Sequence, residues 1–188
     1  MKILLGVAAG FVLVGCGGSN SSWWPMEVGK EWTYVAKSGL NSSVEVFRVR
    51  SRVPVAGREG FEIVSDSGPS HLVWNDGKLL ANRLAGTSFV PALPIYSDSS
   101  MVWKGTVETA SGPRQASAEI STTDAEYKEA TRTLPARKTT LTIGFKGEKR
   151  VLTYLYVRDL GLVQHEEFVG MSLVRSLLLT KGPAGSGR

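Results

Sequence analysis

The chain has 188 residues, with 22 lysines and arginines against 17 aspartates and glutamates, and a formal net charge of +5 at pH 7. This length suits one domain with a sizeable hydrophobic core. No basic cluster is interleaved with aromatic residues, a pattern that disfavours nucleic acid as a partner. A single cysteine excludes an intrachain disulfide, so the core must hold without a covalent crosslink.

The first fifteen residues have the pattern of an export signal. Lys2 is followed by an uncharged, mostly apolar stretch over residues 3–14. Such a stretch is too short to cross a bilayer as a helix of about 20 residues, and it matches the basic and apolar regions of a signal peptide. We therefore expect residues 1–15 to form a signal helix that is removed during export.

Leu13-Val14-Gly15-Cys16 resembles the lipobox of bacterial lipoproteins, Leu-(Ala/Ser/Thr/Val)-(Gly/Ala)-Cys. This resemblance implies that the Cys16 thiol receives a diacylglyceryl group, that cleavage falls just before it, and that its new amino group is acylated, for example with palmitate. Several acyl chains would anchor the protein firmly, because each buried methylene contributes about 0.8 kcal/mol. The alternative is a buried free cysteine in a hydrophobic N-terminal helix.

Residues 17–22 follow the cysteine as a small, polar segment typical of a tether. A segment of six residues spans at most about 20 Å, which would keep the folded domain close to the membrane. Gly17 and Gly18 stand where lipoproteins of enteric bacteria that stay in the inner membrane tend to have an aspartate. That resemblance implies the outer membrane, on its periplasmic side.

Beyond residue 22, short segments rich in Val, Thr, Tyr, Trp and Leu recur about every ten residues, and none has a long 3.6-residue period. Turn signals such as Asp76-Gly77 separate them. The pattern predicts an all-β domain over residues 23–180, an antiparallel β-meander forming an open half-barrel or a sandwich. The predicted strands cover residues 31–37, 43–52, 60–65, 70–75, 78–83, 101–109, 115–122, 138–146, 150–157, 162–169 and 172–180.

Three segments depart from this pattern. Residues 123–130 begin with the capping-box spacing Thr123-x-x-Glu126, which predicts a short helical turn or an irregular strand. Residues 84–100 contain two prolines, which cannot donate ladder hydrogen bonds, and therefore predict a loop folded over an opening. Residues 181–188 predict a disordered tail.

Three stretches resemble poorly characterised β-meander lipoproteins of the bacterial envelope: WPMEVGKEWTY at 24–34, PALP at 91–94 with WKG at 103–105, and YVRDLGLVQHE at 156–166. The first contains a Gly-x-x-Trp-x-Tyr motif and the last a Gly-Leu-Val-x-x-Glu motif. The resemblance spans most of the mature chain and implies a single β domain. The open half-barrels of the lipoprotein carriers LolA and LolB are the nearest comparable architecture, although this chain lacks a clear pair of lid helices.

Catalytic and metal-binding patterns are weak. Ser70 and His71, near Asp66, are adjacent on a predicted strand, so their side chains point to opposite faces and cannot form a dyad. His165 and Glu167 share a face, but a catalytic metal usually takes three protein ligands. We therefore expect no catalytic residues, no metal and no cofactor, and we interpret His165 and Glu167 as exposed polar residues of a strand.

Aromatic residues are the remaining signal. They predict either the core of a β domain or the lining of an apolar cavity bordered by residues 84–100. The candidate ligand-binding residues are Trp32, Tyr34, Trp74, Trp103, Tyr154 and Tyr156.

The sequence thus predicts a non-enzymatic envelope protein, held in the membrane by acyl chains on Cys16, that binds a lipid, another apolar ligand or an envelope protein partner. A purely structural envelope lipoprotein and a periplasmic hydrolase without a recognisable motif are the alternatives.

Overall fold

A computed structural model describes residues 23–145 and 148–183 of the chain. The predicted signal helix, Cys16, the tether and residues 184–188 lie outside the described residues. Within them the chain forms twelve strands and no α-helix. The strands are β1 (Glu31–Ser38), β2 (Asn41–Val55), β3 (Arg58–Val64), β4 (Ser70–Asn75), β5 (Lys78–Leu84), β6 (Thr87–Ser97), β7 (Met101–Thr109), β8 (Gly112–Glu129), β9 (Arg132–Phe145), β10 (Glu148–Val157), β11 (Gly161–Val169) and β12 (Ser172–Lys181).

The sheet closes into a barrel. Each strand pairs antiparallel with the next, and β12 pairs with β1, where Val35 lies opposite Leu178. The prediction of an antiparallel all-β domain is confirmed, but the predicted open half-barrel or sandwich is wrong. Pairing between the first and last strands removes both free edges of the meander, which an open sheet would have to protect in another way. No helix in the described part of the chain could span a bilayer.

The segment predicted as a helical turn or an irregular strand is a regular strand. β8 pairs residue by residue with β9, with Ala125 opposite Ala136 and Tyr127 opposite Leu134. These four side chains pack into one hydrophobic cluster with Val163. Burial of this cluster together with a continuous ladder outweighs an N-terminal cap, which contributes about 1 kcal/mol.

The segment predicted as a loop over an opening contains β6. This strand pairs with β7 only at Phe89 and Val90, so Pro91 and Pro94 leave no gap in a ladder on that side. The Pro91 carbonyl oxygen, which has no ladder partner on β7, accepts a hydrogen bond from the Trp103 indole Nε1 at 3.2 Å.

Alternation along the strands separates an inner from an outer face. Tyr156 and Leu162 belong to the main core inside the barrel, whereas their neighbours Val157 and Val163 belong to the smaller cluster on the outside. The β8–β9 hairpin extends along the sheet to build this outer cluster. The barrel is therefore filled by one face of each strand.

One end of the barrel is closed by aromatic side chains. The chain before β1 crosses this end and buries Trp23 and Trp24, which are 8% and 3% exposed. The Trp24 ring lies 6.0 Å from that of Trp32 in an edge-on arrangement, and the Arg158 guanidinium lies 4.7 Å from the Trp23 ring centroid. The rings that close this end, which we call the aromatic floor, are those of Trp24, Trp32, Trp74, Tyr96 and Tyr156.

Candidate functional site

The barrel contains a cavity of about 930 Å³ that opens opposite the aromatic floor. β1 begins at the floor, and strands alternate in direction, so the turns after odd-numbered strands lie at the far end. The cavity mouth is formed there by residues of the β3–β4, β5–β6 and β7–β8 turns, including Ser67, Gly86 and Ala110. The predicted border at residues 84–100 thus forms part of the wall and mouth.

The walls of the cavity are apolar below the mouth. They come from inward-facing positions of most strands, where side chains alternate with outward ones. On β10, for example, Leu152 and Tyr154 line the cavity while Val151 and Thr153 do not. The apolar lining residues are Phe47, Ile63, Leu72, Phe89, Ile95, Val107, Ile143, Leu152, Leu162 and Leu177, with Trp24 of the floor below them.

Charged residues surround the mouth. On β10 and β11 the Arg150 Nη1 atom donates to Glu167 Oε1 at 3.0 Å. The Arg150 side chain is 46% exposed, so this pair contributes little to stability but fixes the direction of both side chains. The charged lining residues are Glu108, Arg114, Glu148, Arg150, Glu167 and Arg175.

A buried ion pair fixes the β3–β4 turn at the mouth. Arg175 bonds to Glu45, whose residue is only 3% exposed. Glu45 Oε1 also accepts from Ser67, from its backbone N at 3.3 Å and its Oγ at 3.0 Å. Because a buried carboxylate without partners would be costly, these contacts hold the turn against the barrel wall.

The sequence predicted that His165 is an exposed strand residue, but this prediction is wrong. The side chain lines the cavity and the residue is 8% exposed. Its ring stacks on Tyr154 with centroids 4.7 Å apart. Burial is the main cause that lowers the pKa of His165 to about 4. The hydrogen bond to Thr153 opposes this effect, and the charges of Arg175 and Glu45 have smaller effects that respectively lower and raise the pKa. The imidazole is therefore neutral at pH 7.

The tautomer of His165 follows from its hydrogen bond. Nδ1 lies 3.2 Å from the carbonyl oxygen of Thr153, which can only accept, so Nδ1 carries the proton and donates. Nε2 then holds a lone pair and is an acceptor. No residue in the described ranges donates to it.

The predicted aromatic residues separate into two groups. Only Tyr154 lines the cavity. Trp32 and Tyr34 are completely buried. Trp32 Nε1 donates to Leu160 O in the β10–β11 turn at 2.7 Å, and Tyr34 Oη donates to Leu162 O of β11 at 2.8 Å. The other three are packed among aromatic neighbours: Trp74 and Tyr156 in the floor, and Trp103 against Phe89.

Most lining residues were missed by sequence reasoning because they are ordinary aliphatic strand residues. The signal that could have found them is register: Arg150, Leu152 and Tyr154 occupy every second position of β10, with the charge nearest the mouth. This sequence of charged, aliphatic and aromatic side chains runs from the mouth to the floor.

The groups considered for catalysis do not meet. Ser70 Oγ accepts from Ala85 N at 2.9 Å and lines the cavity, whereas His71 Nε2 lies 3.6 Å from Glu62 Oε1 on the other face. Glu167 pairs with Arg150 rather than with His165. Residues 23–145 and 148–183 contain no group of three or more His, Cys, Asp or Glu side chains that could hold a metal ion.

No model of a known protein family matches the chain, and no curated protein matches it. Among solved structures it is similar to a Parabacteroides distasonis protein described provisionally as a lipoprotein, with a TM-score of 0.53, 11% identity, and coverage of 85% of this chain and 97% of that one. It also aligns with a Bacteroides fragilis protein described provisionally as exported, with a YmcC-like fold (TM-score 0.41, 12% identity, 82% and 95% coverage), and with the hypothetical lipoprotein YmcC of Escherichia coli (0.41, 11%, 81% and 84%). The chain shares the fold of the first.

Proposed function

We propose that this protein is a lipid-anchored, non-enzymatic protein of the bacterial cell envelope that binds an apolar ligand inside its barrel. The observation that carries the proposal is the cavity of about 930 Å³ with apolar walls, one closed end and one mouth. Its volume falls in the range of about 300–1,000 Å³ typical of sites for small ligands. Hydrocarbon transferred from water to these walls gains about 25 cal/mol per Å² of buried apolar surface.

The anchor is argued from the sequence. Leu13-Val14-Gly15-Cys16 follows an apolar signal and precedes a polar tether, which together support acylation of Cys16. The shared fold with a protein described provisionally as a lipoprotein adds support. Gly17 and Gly18 favour the outer membrane with the barrel in the periplasm, where the partners would be the membrane and the ligand.

Metabolic labelling tests the anchor. Cells that express the chain and are supplied with labelled palmitate should incorporate the label into the protein and retain it in the outer-membrane fraction. Cys16→Ser should take up no label and should be released with the periplasmic contents. Labelling of Cys16→Ser, or an unlabelled wild-type protein, would contradict the proposal.

Binding of diphenylhexatriene, a hydrocarbon whose fluorescence rises out of water, tests the cavity. The full chain carrying Cys16→Ser and purified without detergent should bind it saturably. Val107 lines the cavity and is 1% exposed, whereas Val102 of the same strand is 63% exposed. Val107→Trp should fill the cavity and weaken binding at least about tenfold, since indole occupies space that the ligand needs.

Val102→Trp is the matched control, because it adds the same side chain to the outside of β7. It should bind the probe like the parent protein. Circular dichroism establishes that both variants are folded. No binding by the parent protein, or equal binding by the two folded variants, would overturn the cavity as the binding site.

A further inference from the structure

We infer that the ligand of the cavity is an apolar molecule that carries a hydrogen-bond donor, a hydroxyl or an amide N–H, and places it against Nε2 of His165. This inference rests on the proposed function, because it specifies the ligand of the same cavity. It specifies a polar group of the ligand, which the apolar walls alone do not define.

The orientation of the imidazole is the first argument. Nδ1 is bonded to the backbone of β10, at Thr153 O, so this side of the ring faces the sheet. Nε2 lies on the opposite side of a rigid five-membered ring and therefore points away from the sheet and toward the barrel interior. His165 lines the cavity there, beside the aliphatic Leu152 and Leu177 and near Arg175.

The second argument is that this acceptor is unsatisfied. His165 is 8% exposed, and no described residue donates to Nε2. Nε2 is not one of the fully buried side-chain atoms that lack a partner, so it is reachable from the cavity, where a donor of the ligand can take the position that no protein group fills.

The state of the ring defines the complementary group. The bond at Nδ1 leaves Nε2 as a lone-pair acceptor, and a lone pair requires a donor. Hydroxyl and amide N–H groups donate and carry no charge, so they enter an apolar cavity at a lower desolvation cost than an ammonium group. Pure hydrocarbons, ethers and esters offer no donor. Hydroxylated or amide-bearing lipids are therefore the favoured class.

Two chain-matched competitors test the inference. Decanol and decyl methyl ether have the same alkyl chain, but only the alcohol donates a hydrogen bond. In displacement of diphenylhexatriene from the full chain carrying Cys16→Ser, decanol should bind about tenfold more tightly than the ether. His165→Phe should keep an aromatic ring on Tyr154 and lose the preference for the alcohol over the ether, a ratio that is measured within the variant whatever its affinity for the probe.

His71→Phe is the matched control, since it removes the other histidine, which lies beside Glu62 away from the cavity. It should keep the preference. A preference that survives in His165→Phe, or equal affinities in the parent protein, would overturn this inference while the probe still reports the cavity. Failure of the probe itself to bind would overturn the proposed function instead.

A second measurement needs no substitution in the cavity. In protein with nitrogen-labelled histidine, the Nε2 resonance of His165 should shift when decanol is added and should stay in place when the ether is added at matched occupancy. An unchanged resonance with bound decanol would overturn the inference even if His165→Phe fails to fold.

Discussion

At the scale of single residues, His165 combines a structural role with exposure to the cavity. Its Nδ1–H bonds to β10, its ring stacks on Tyr154, and it is flanked by the Arg175–Glu45 ion pair, whose charges act on it in opposite directions. Burial is the largest of these influences and keeps the ring neutral. Protonation would place a positive charge in an apolar wall, so acidification should act against the folded state.

The pH dependence of stability should therefore include a contribution from His165. An unfolded histidine with a pKa of 6.5 takes up a proton that the folded one takes up only near pH 4. Above pH 6.5 the neutral ring makes its full contribution to the free energy of unfolding. About 3 kcal/mol of that free energy is lost as the pH falls toward 4. Urea unfolding at several pH values between 7 and 4 measures this decline.

His165→Gln isolates that contribution, because glutamine does not titrate. The variant should be less stable at pH 7 because the ring stacking on Tyr154 is lost, and its free energy of unfolding should fall less between pH 7 and 4 than that of the wild-type protein. Equal declines in the two proteins would mean that His165 is not the titrating group.

The residue scale is also where sequence reasoning was weakest. His165 alternates with Glu167 in a polar stretch and was expected to be exposed, because a strand pattern shows which residues share a face but not which face is inside. Trp32, Tyr34 and Tyr156 were interpreted as either core residues or ligand-binding residues of a cavity, because only packing decides whether an aromatic ring fills a core or lines a cavity. Rings at the closed end of the barrel are covered by the chain before β1, a contact between distant parts of the sequence.

At the scale of elements, the segment before β1 and the start of β11 together seal the floor. Gly161 has a φ of +91°, and a Cβ there would lie 2.7 Å from Trp24 Cδ1 and 3.1 Å from Trp32 Nε1. Glycine at this position therefore allows both the left-handed backbone and the close approach of the two indoles. The packing of the aromatic floor therefore requires a residue without a side chain at position 161.

Gly161→Ala should accordingly be more destabilising than an ordinary substitution at a glycine with positive φ. Gly170 provides the comparison, with a φ of +59° and no atom within 4 Å of a built Cβ. Gly170→Ala should lower the free energy of unfolding by about 1–2 kcal/mol through backbone strain alone. Gly161→Ala should lower it by about 1–3 kcal/mol more, because the added methyl group overpacks against Trp24. Thermal and urea unfolding measure both. Equal losses would show that the floor is loosely packed.

Element prediction succeeded where turns have a chemical signature. Asp76 and Gly77 adopt positive φ, as the tight hairpin between β4 and β5 required. It failed where a local signal competed with strand pairing. Pro91 and Pro94 led to the prediction of a loop where β6 lies, and the capping-box spacing led to the prediction of a helical turn in the second half of β8. In both places the deciding interactions come from neighbouring strands and not from the segment itself.

At the scale of the whole molecule, closure of the barrel is the property least visible in the sequence. A meander of consecutive hairpins is consistent with an open or a closed sheet, because only the pairing of β1 with β12 distinguishes them. Closure matters for the proposed function, since it leaves the mouth as the wide opening and surrounds an apolar ligand on all sides. The strand seams are then the places where an alternative opening would form.

Hydrogen exchange followed by mass spectrometry tests closure and locates the weakest seam. β1 and β12 pair over five residue pairs, from Thr33 opposite Lys181 to Lys37 opposite Ser176, whereas β6 and β7 pair at only two. Peptides from β1 and β12 should therefore be protected as interior strands are. Peptides covering residues 91–97 should exchange faster although residues 93–97 are buried, because exchange depends on broken hydrogen bonds and local opening as well as on burial.

The same experiment separates the closed barrel from a half-barrel. In an open meander β1 and β12 would be edge strands, and about half of their amide groups would lack partners and exchange rapidly. Rapid exchange in both strands would thus contradict closure, and uniform protection would contradict a weak β6–β7 seam.

Added decanol should slow exchange around the cavity lining and leave the outer cluster at Val163 unchanged, because a ligand inside the barrel stabilises the strands that it contacts. Protection confined to β6 and β7 would instead indicate that the ligand enters and sits between these strands.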